Sequence, residues 1–509
     1  MKELIPMVQA GSSYICITRP RRFGKTVMAN MIASFFSKGE DSRALFDGLK
    51  ISEFEGYGSG INQHNVIHIQ LNETPADCRS WKRYISRICD RLLRDLKRAY
   101  PQIEYGPDDA VWDVLKEIYE FCGGEKFVFV LDEWDYIFHR DYMSGQDKRE
   151  YLAFLRNLLK DKPYVSMAYM TGILPIAKYS SGSELNMFLE YTMASEERFG
   201  GYFGFTESEV DQLFYERYLK IEKKPQIARE ELRNWYDGYH TKAGERVYNP
   251  RSVVAALVNN NLGDYWTSSG PYDEIYYYIE KNVGDVRDDL ALMAAGIPVS
   301  AKIREYAATS MKLRTRDEIF SAMVVYGFLS YNNGLVSIPN RELMNKFDDM
   351  LRKEPSLGYV NRLARESERM LKATLSGDTE TMLEILEYAH DSEVPLLSYN
   401  DETELTAVVN LVYLSARDTY RVEREDKAGT GYVDFIFYPE IRGADGIILE
   451  LKVDHGPEEA IAQIKKKKYA LRFLGKLGEE QKYTGRILAV GIGYDRKTKK
   501  HSCRIEVLR

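Results

Sequence analysis

The chain has few cysteines and no long apolar run, and these two absences narrow the kind of protein it can be. Its 509 residues include only five cysteines, which lie far apart without a metal-ligand spacing. A sparse, odd set of cysteines argues against a disulfide framework and indicates a reducing compartment, so we expect a cytoplasmic protein. No segment approaches the roughly 20 apolar residues that span a bilayer, and a signal-peptide pattern is lacking. We therefore expect no membrane partner.

Histidine is scarce too, and the charge balance is acidic. The seven histidines are dispersed without a metal-ligand spacing, so zinc chemistry is not expected. The formal net charge of −7 argues against wholesale electrostatic binding of nucleic acid, although it is compatible with a local basic groove. With 44% hydrophobic and 29% charged residues, the chain has the composition of a folded protein. Its length is typical of about two to four domains.

What the sequence does contain is a phosphate-binding pattern between an apolar strand, Tyr14–Thr18, and an amphipathic helix. In Gly24-Lys25-Thr26, glycine lets backbone amides approach phosphate, lysine reaches the β- and γ-phosphates, and the threonine hydroxyl can ligate Mg²⁺. The helix behind the loop points its unpaired amides and positive dipole end at the anion. The first glycine of the usual pattern is replaced by Arg19. The apolar positions of the helix are Val27, Met28, Met31, Ile32, Phe35 and Phe36.

A second half of the nucleotide site is expected in Lys126–Glu133, an uninterrupted β-branched and aromatic run that is typical of a buried parallel strand. Asp132 would stand at the carboxyl edge of the sheet, where it could hold Mg²⁺, and Glu133 would polarise the attacking water. The alternative is a buried strand that ends in a solvated acidic turn. The predicted nucleotide-binding residues are Arg22, Phe23, Gly24, Lys25, Thr26 and Asp132, with Thr26 and Asp132 as metal ligands.

The phosphate loop Arg19–Thr26 and the acidic segment Asp132–Asp135 together resemble a large group of prokaryotic proteins that carry an AAA-like ATPase domain. Arg19 is part of this family's own loop pattern. The resemblance implies a P-loop domain that binds ATP and Mg²⁺ and hydrolyses ATP. Further matching segments follow in order over roughly the first half of the chain: Thr171–Ile173, Leu185-Asn186, Phe203–Glu207, Trp235–Tyr239 and Tyr248–Pro250.

Apolar strands alternate with helical stretches in the N-terminal half, as at Asn65–Leu71 and Val165–Met170. This alternation indicates an α/β fold, with a P-loop NTPase parallel sheet and helices on both faces. Thr171 would follow a strand beside the γ-phosphate, where a hydroxyl could sense hydrolysis. The equal alternative is a threonine that satisfies a backbone group at a turn.

The character of the chain changes between residues 245 and 345. Arg316–Tyr326 is predicted to be a helix, and Asn332-Asn333-Gly334 between two apolar-rich runs is a strong hairpin signal. A helix followed by a hairpin is typical of a winged-helix-like element. Such an element can bind DNA, but packing on the ATPase domain as a lid or contact surface is the favoured interpretation. Residues 346–395 are predicted to be a charged helical linker.

The C-terminal region holds a second constellation, formed by two acids and a lysine. Two predicted strands, 431–438 and 447–452, carry Asp434 on the first and Glu450 and Lys452 on the second. Side chains two residues apart on a strand leave the same face. If the hairpin register brings Asp434 to Glu450, the two carboxylates can bind Mg²⁺ while the lysine orients or activates water.

The order of these residues resembles the PD-(D/E)XK nuclease superfamily, in particular the nuclease-like domain commonly fused behind this AAA-like ATPase. A predicted helix, Glu402–Leu414, would add Glu404 upstream, and Gln463 and Tyr469 would follow on a later helix. The alternative for a Glu-x-Lys strand is a salt-bridged or solvated face. The resemblance implies Mg²⁺-dependent phosphodiester cleavage, with Asp434 and Glu450 as metal ligands and Asp434, Glu450, Lys452 and Gln463 as catalytic residues.

Several other polar residues are weaker candidates. Lys465–Lys468 could touch phosphates, but a solvated helix face is the favoured interpretation. Arg21, Arg22 and Arg198 could act on the γ-phosphate, although arginines commonly pair with nearby acids. Trp134 is expected to be a packing residue.

The leading hypothesis is an ATP- and Mg²⁺-dependent enzyme in which ATP turnover, with Glu133 as the base, controls cleavage of DNA or RNA. One alternative is a nucleotide-controlled module whose C-terminal fold binds DNA or protein without cutting. Another is a STAND-like signalling ATPase that forms a homo-oligomer on a trigger. The predicted segments are an AAA-like ATPase domain (1–244), a helical and winged-helix-like region (245–345), a helical linker (346–395) and an α/β nuclease-like domain (396–509).

Overall fold

Strands form where β-branched and aromatic runs predict them. The computed structural model describes residues 1–74, 77–106, 108–176, 184–194, 197–267, 283–303, 313, 315–391, 402–428, 431–441, 443–471, 473 and 485–509. In chain order, the strands are β1 (Ser13–Thr18), β2 (Asn65–Gln70), β3 (Phe127–Asp132), β4 (Val165–Gly172), β5 (Leu189–Tyr191), β6 (Tyr239–His240), β7 (Arg246–Val247), β8 (Val299–Ser300), β9 (Ser330–Asn332), β10 (Leu335–Ser337), β11 (Tyr420–Ala428), β12 (Gly431–Pro439), β13 (Gly446–Val453), β14 (Ile487–Asp495) and β15 (Lys500–Val507).

Helices occupy much of the chain between these strands. One seven-residue stretch, Gln212–Tyr218, is π-helical. The α-helices are Leu4–Ala10, Lys25–Phe36, Arg43–Phe46, Tyr57–Gly60, Trp81–Ala99, Val111–Phe121, Gly145–Leu159, Glu207–Asp211, Leu219–Ile221, Arg229–Tyr236, Pro250–Asn259, Val283–Ala294, Arg316–Tyr326, Arg341–Lys353, Tyr359–Ser376, Thr379–Asp391, Glu402–Val412 and Pro457–Lys466.

The chain divides into two compact units that are interleaved in sequence. Unit 1 contains Met1–Gly270 and Ala301–Asn340, and unit 2 contains Pro271–Ser300 and Arg341–Arg509. The segment 245–345, predicted as one region, therefore contributes to both units. The domain boundaries at 244, 345 and 395 stay predictions.

The main sheet of unit 1 has the strand order β2-β3-β4-β1-β5, and its neighbouring strands run parallel. Gln70 lies opposite Asp132, and Ile17 lies opposite Thr171, so the carboxyl ends of β1 to β4 meet at one edge. Alternate side chains of β3 enter two apolar clusters, one on each face of the sheet. The predicted α/β fold with helices on both faces is confirmed.

Helix Lys25–Phe36 begins after Gly24, whose φ of 84° lies in the left-handed region that glycine adopts without steric cost. Val27 is 62% exposed, so its placement on the apolar face of this helix is wrong. Two residues correspond to about 200° of rotation, which puts Val27 on the side opposite Ala29. The buried apolar residues of the helix are Ala29, Ile32, Phe35 and Phe36.

The predicted helix and hairpin of the middle region are confirmed. Helix Arg316–Tyr326 is followed by β9 and β10, which pair antiparallel around Asn333 and Gly334 with φ of 48° and 88°. Gly327, with φ of 87°, ends the helix, and a Cβ added there would lie 2.6 Å from Cβ of Pro20. Only glycine allows the helix end to approach the start of the phosphate loop this closely. The likeness to a winged helix stays a prediction.

The main sheet of unit 2 is mixed, with the order β11-β12-β13-β14-β15. Helix Pro457–Lys466 connects the parallel strands β13 and β14, while the other neighbouring strands are antiparallel. Three helices between Arg341 and Asp391 agree with the helical character predicted for residues 346–395, of which 392–395 lie outside the described residues.

All five cysteines are free. Across the part of the chain that the structure describes, every helix is too short or too polar to cross a bilayer.

Two candidate active sites

The phosphate loop holds Lys25 against its own backbone. The Lys25 ammonium donates hydrogen bonds to the carbonyl oxygens of Arg19, at 3.0 Å, and Pro20, at 2.9 Å. Burial lowers the pKa of Lys25 to about 8, although nearby acids favour the charged form, Asp135 first and then Glu133. A ligand anion at this loop would stabilise the buried charge.

Asp132 ends β3 next to this loop. The Thr26 hydroxyl donates a hydrogen bond to the Asp132 carboxylate, whose Oδ1 is buried without a hydrogen-bond partner among the described atoms. Burial raises the pKa of Asp132, while Thr26 and then Lys25 oppose that rise. A buried carboxylate oxygen without a donor is what a divalent cation would satisfy. Thr26 and Asp132 therefore fit a Mg²⁺ site.

Glu133 follows with a φ of 53°, in the left-handed region that few non-glycine residues adopt. Its carboxylate accepts a hydrogen bond from the side chain of Asn72, which lies just beyond β2. Burial, and then the charge of Asp132, raise the pKa of Glu133. A carboxylate with a raised pKa is a stronger base, so this residue suits proton transfer from water.

Arg19, which replaces the first glycine of the usual loop, ties three backbone segments together. Its guanidinium donates to the carbonyl oxygens of Thr18 at 2.7 Å, Tyr191 at 2.9 Å and Phe199 at 3.1 Å. It also lies over the ring of Phe203, 5.0 Å from the centroid. The side chain is almost fully buried, so these charge-assisted bonds act in a low dielectric. Arg19 thus anchors the start of the loop to the chain around β5.

Phe23 contributes to the loop mainly through packing. Its ring is 1% exposed and meets Tyr239 edge-on with centroids 5.0 Å apart. The Tyr239 hydroxyl in turn donates to the carbonyl oxygen of Gly327 at 2.9 Å. The Phe23 side chain is thus committed to the protein, and only its backbone remains for a nucleotide. Arg22, with φ of 69°, is exposed on the loop.

The weaker candidates of unit 1 have partners within the protein. The fully buried Thr171 hydroxyl donates to the carbonyl oxygen of Ile17 at 2.9 Å, which favours a backbone-satisfying role. Trp134 is buried, and its Nε1 donates to a backbone oxygen at 3.0 Å, as expected of a packing residue. Arg198 pairs with Glu3 at 3.1 Å.

In unit 2, strand register brings the predicted acids together. Phe435 pairs with Leu449 across β12 and β13, which places Asp434 beside Glu450 at the next position. Asp434 Oδ2 accepts a hydrogen bond from the backbone N–H of Leu451 at 2.7 Å. The hairpin register therefore brings Asp434 to Glu450, as the predicted metal site requires.

Glu450 is the centre of this second site. Its Oε1 accepts hydrogen bonds from Lys452 Nζ, at 3.2 Å, and from the Gln463 side-chain amide. Its Oε2 is buried and has no partner among the atoms that the structure describes. Burial, and then the charge of Asp434, raise the pKa of Glu450 to about 7, even though Lys452 opposes the rise. The Tyr469 hydroxyl hydrogen-bonds to the side chain of Gln463.

Two other predictions concern residues around this site. Glu404 lies in helix Glu402–Val412, but its side chain falls outside the described residues. Lys465 pairs with Glu506, and Lys466 and Lys468 are exposed, as expected of a solvated face. Within the described ranges, no group of three or more His, Cys, Asp and Glu side chains could hold a metal. A cation at either site would therefore need other oxygen ligands as well.

Sequence reasoning did not assign roles to Asn72 and Asp135. Asn72 could have been found, because it follows a predicted strand at the carboxyl edge, where ligand-binding side chains collect. Asp135 Oδ2 accepts hydrogen bonds from the backbone N–H groups of Ile173, at 3.1 Å, and Leu174, at 2.9 Å. In the sequence, the one indication of Asp135 was its place in the acidic segment Asp132–Asp135 that carries the family resemblance. It holds the chain after β4 against the end of β3.

The parallel sheet, with its phosphate loop after β1 and acidic pair at the end of β3, defines unit 1 as a P-loop NTPase fold. The mixed sheet with Asp434, Glu450 and Lys452 is typical of a nuclease-like domain. A family model described as predicted AAA-ATPase matches residues 2–181, and a model of the PD-(D/E)XK nuclease superfamily matches residues 401–501. The chain therefore carries a predicted AAA-ATPase domain and a C-terminal PD-(D/E)XK nuclease superfamily domain, which confirms both resemblances.

Individual proteins resemble the chain only at low sequence identity. An uncharacterized protein in the vnfD 5′ region of Azotobacter chroococcum mcd 1 is 28% identical over 271 residues, which are 52% of this chain and 49% of that protein. The chain thus spans about half the length of the curated relative it matches.

Among solved structures, a Walker-type ATPase of Pyrococcus abyssi is 12% identical, with coverage of 68% of this chain and 93% of that one and a TM-score of 0.40. The Aeropyrum pernix ORC2 protein is 12% identical, with coverage of 69% and 91% and a TM-score of 0.32. A STAND protein with a tetratricopeptide repeat sensor from Pyrococcus horikoshii is 11% identical, with coverage of 82% and 64% and a TM-score of 0.23. At these scores, none of the three bears on substrate or assembly.

Proposed function

We propose that this chain is an ATPase whose turnover controls Mg²⁺-dependent phosphodiester cleavage in nucleic acid. The observation that carries the proposal is common to both sites. Each site buries a carboxylate with one oxygen that lacks a hydrogen-bond partner among the described atoms, Asp132 Oδ1 and Glu450 Oε2. A cation would satisfy such an oxygen, and Mg²⁺ prefers oxygen ligands.

At the first site, Lys25 and the amides of the loop would bind the β- and γ-phosphates of ATP. Thr26 and Asp132 would hold Mg²⁺, which when bound neutralises charge on the phosphates. Glu133, oriented by Asn72, would accept a proton from the attacking water, for which its raised pKa is suited.

At the second site, Asp434 and Glu450 would hold Mg²⁺, which when bound acts as a Lewis acid on a phosphate oxygen. Lys452 would orient the attacking water and offset negative charge on the phosphate. Gln463 donates to Glu450 Oε1, so it would fix the carboxylate and leave Oε2 directed to the ligand.

Two single variants of the full chain test the proposal. Lys25→Ala should lower ATP hydrolysis by about 10²-fold or more, because it removes the buried cation at the phosphates. Lys452→Ala should abolish metal-dependent cleavage and leave ATP hydrolysis in place. Lys38→Ala removes an exposed lysine paired with Glu125 and should change neither activity.

Unchanged ATP hydrolysis in Lys25→Ala would overturn the first half of the proposal. Wild-type cleavage no higher than the residual level of Lys452→Ala would overturn the second half. That result would favour a nucleotide-controlled module that binds without cutting.

A further inference from the structure

Helix Trp81–Ala99 of unit 1 concentrates positive charge in an otherwise acidic chain. Residues 79–98 carry eight basic and two acidic side chains, a net charge of +6, whereas the whole chain has a net charge of −7. Neither proposed active site uses any of these basic residues. The helix is therefore a strongly charged feature that ATP hydrolysis and phosphodiester cleavage do not explain.

The arginines of this helix form one row. Residues four and seven apart share a face of a helix, so the spacing from residue 83 to residue 98 aligns them. At about 1.5 Å per residue, the row is about 22 Å long. The basic stripe consists of Arg83, Arg87, Arg91, Arg94 and Arg98. The opposite face is buried in the core of unit 1 through Trp81, Tyr84, Ile88 and Leu96.

Acidic neighbours neutralise only part of the stripe. Arg83 pairs with Asp77, Arg91 lies 3.2 Å from Glu73, and Arg98 lies 3.8 Å from Asp95. These pairs are largely exposed, and such pairs are worth little and exchange readily. Within the described chain, no carboxylate lies within ion-pair distance of Arg79, Lys82, Arg87, Arg94 or Lys97.

The geometry of the helix favours nucleic acid over a membrane surface as the polyanion that the stripe binds. A basic amphipathic helix binds a membrane by inserting its apolar face, but here that face is part of the protein core. Guanidinium groups match phosphate with two parallel hydrogen bonds. With about 3.4 Å of axis per nucleotide of one strand, a row of about 22 Å faces about six phosphates.

We propose that the basic stripe binds the phosphate backbone of nucleic acid. This inference rests on the proposed function, because it supplies unit 1 with a surface for the nucleic acid that unit 2 would cleave. Binding through arginine and phosphate carries no sequence information and releases counterions, so it weakens steeply with salt.

The test measures fluorescence anisotropy of labelled DNA duplex, single-stranded DNA and single-stranded RNA, with EDTA present so that the probe stays uncut. The double variant Arg87→Glu with Arg94→Glu reverses two stripe charges without a described acidic partner. Lys223→Glu with Lys224→Glu makes the same change in charge at exposed positions of the same unit. Thermal melting and ATP hydrolysis without nucleic acid verify that each variant is folded.

The stripe variant should lose at least about tenfold in affinity, and its slope of log affinity against log salt on duplex DNA should fall by about 1.8, which corresponds to two phosphate contacts. The control variant should bind within about twofold of the wild type. Equal binding by the wild type and the stripe variant, or an equal loss in both variants, would overturn the proposal. Tighter binding to anionic vesicles or to an acidic peptide than to nucleic acid would also overturn it. ATP hydrolysis and cleavage, assayed separately, decide the proposed function itself.

Discussion

The group with the most strongly shifted pKa is a cation in one candidate site and an acid in the other, and the two sites are also assembled in different ways. In unit 1 burial lowers the pKa of Lys25 to about 8, and in unit 2 it raises the pKa of Glu450 to about 7. In each site burial outweighs the neighbouring opposite charges. Each thus holds a group whose charged form the protein disfavours and a ligand of opposite charge would stabilise. Strongly shifted groups of this kind are enriched at functional sites.

The difference lies in what holds each group in place. The first site draws on the ends of several strands and on backbone oxygens, through contacts such as those of Arg19. Among the described residues, the second site is formed by two neighbouring strands and one helix, since register places Asp434 beside Glu450 and Gln463 supports it. A site built from remote segments depends on the whole unit, whereas a site built from register depends on local pairing.

The sharpest way to separate the two sites is a pair of carboxamide variants. Glu133→Gln should lower ATP hydrolysis by about 10²-fold or more, because it removes the carboxylate proposed as the general base, and ATP-dependent cleavage should fall with it. Glu450→Gln should abolish cleavage and leave ATP hydrolysis within about twofold. Phosphate release and cleavage of an end-labelled duplex give the two rates. A loss of ATP hydrolysis in Glu450→Gln would contradict this one-way dependence.

Arg19→Lys tests whether remote backbone contacts hold the first site. A lysine is a point charge that cannot span the oxygens of Thr18, Tyr191 and Phe199, so buried acceptors lose their donors. We expect a loss of about 3 kcal/mol in unfolding free energy and a roughly tenfold rise in KM for ATP. Arg43→Lys, at an exposed pair with Asp41, should change neither quantity. Chemical denaturation and steady-state kinetics would measure them, and wild-type values in Arg19→Lys would count against the anchoring role.

The opposite charges predict opposite effects of pH on the stability of the metal-free protein. The pKa of Glu450 is about 7 when folded and 4.5 for a fully solvated glutamate, so the folded state binds this proton more tightly. Its stabilising contribution is present below the solvated value and is lost as pH rises through about 7. As pH rises from about 5 to about 8, the melting temperature of the wild type should therefore fall by about 2–4 °C relative to that of Glu450→Gln.

For Lys25 the sign is reversed. Its pKa is about 8 when folded and 10.5 for a fully solvated lysine, so the unfolded chain binds this proton more tightly and stability rises with pH between the two values. Any gain in melting temperature of Lys25→Met over the wild type should therefore shrink as pH rises between these two values. Calorimetry in EDTA measures both differences, and a difference that stays constant with pH would refute the buried-charge interpretation.

The smallest effect is expected at the packing that supports the phosphate loop. Tyr239→Phe removes the hydroxyl that donates to Gly327 but keeps the ring against Phe23. We expect a loss of about 1 kcal/mol in stability with no change in KM for ATP. Tyr202→Phe, at a ring that is 53% exposed, is the matched control and should have no effect. A large change in KM would show that the hydroxyl itself positions the loop.

Periodicity and strand-edge reasoning predicted the strands and the meeting of Thr26 with Asp132. Strand β3 is apolar up to Asp132 because both faces of the sheet are covered, and Asp132 at its carboxyl end meets Thr26 at the end of the phosphate loop. The partners of Arg19 could not be predicted, since they are backbone oxygens, which every residue carries, on distant segments. The interleaving of the two units was hidden for a similar reason, because the order of segments along the chain does not reveal which of them pack together.

Because Arg19 anchors the phosphate loop, the conformation of the loop and its charge depend on different residues. A guanidinium keeps its proton at any pH at which proteins stay folded, so the anchor is constant. Lys25, tied to the carbonyl oxygen of the same Arg19, changes its charge near pH 8 in the free protein. Above about pH 8, Lys25 should therefore attract an anion less strongly, while the phosphate loop keeps its conformation.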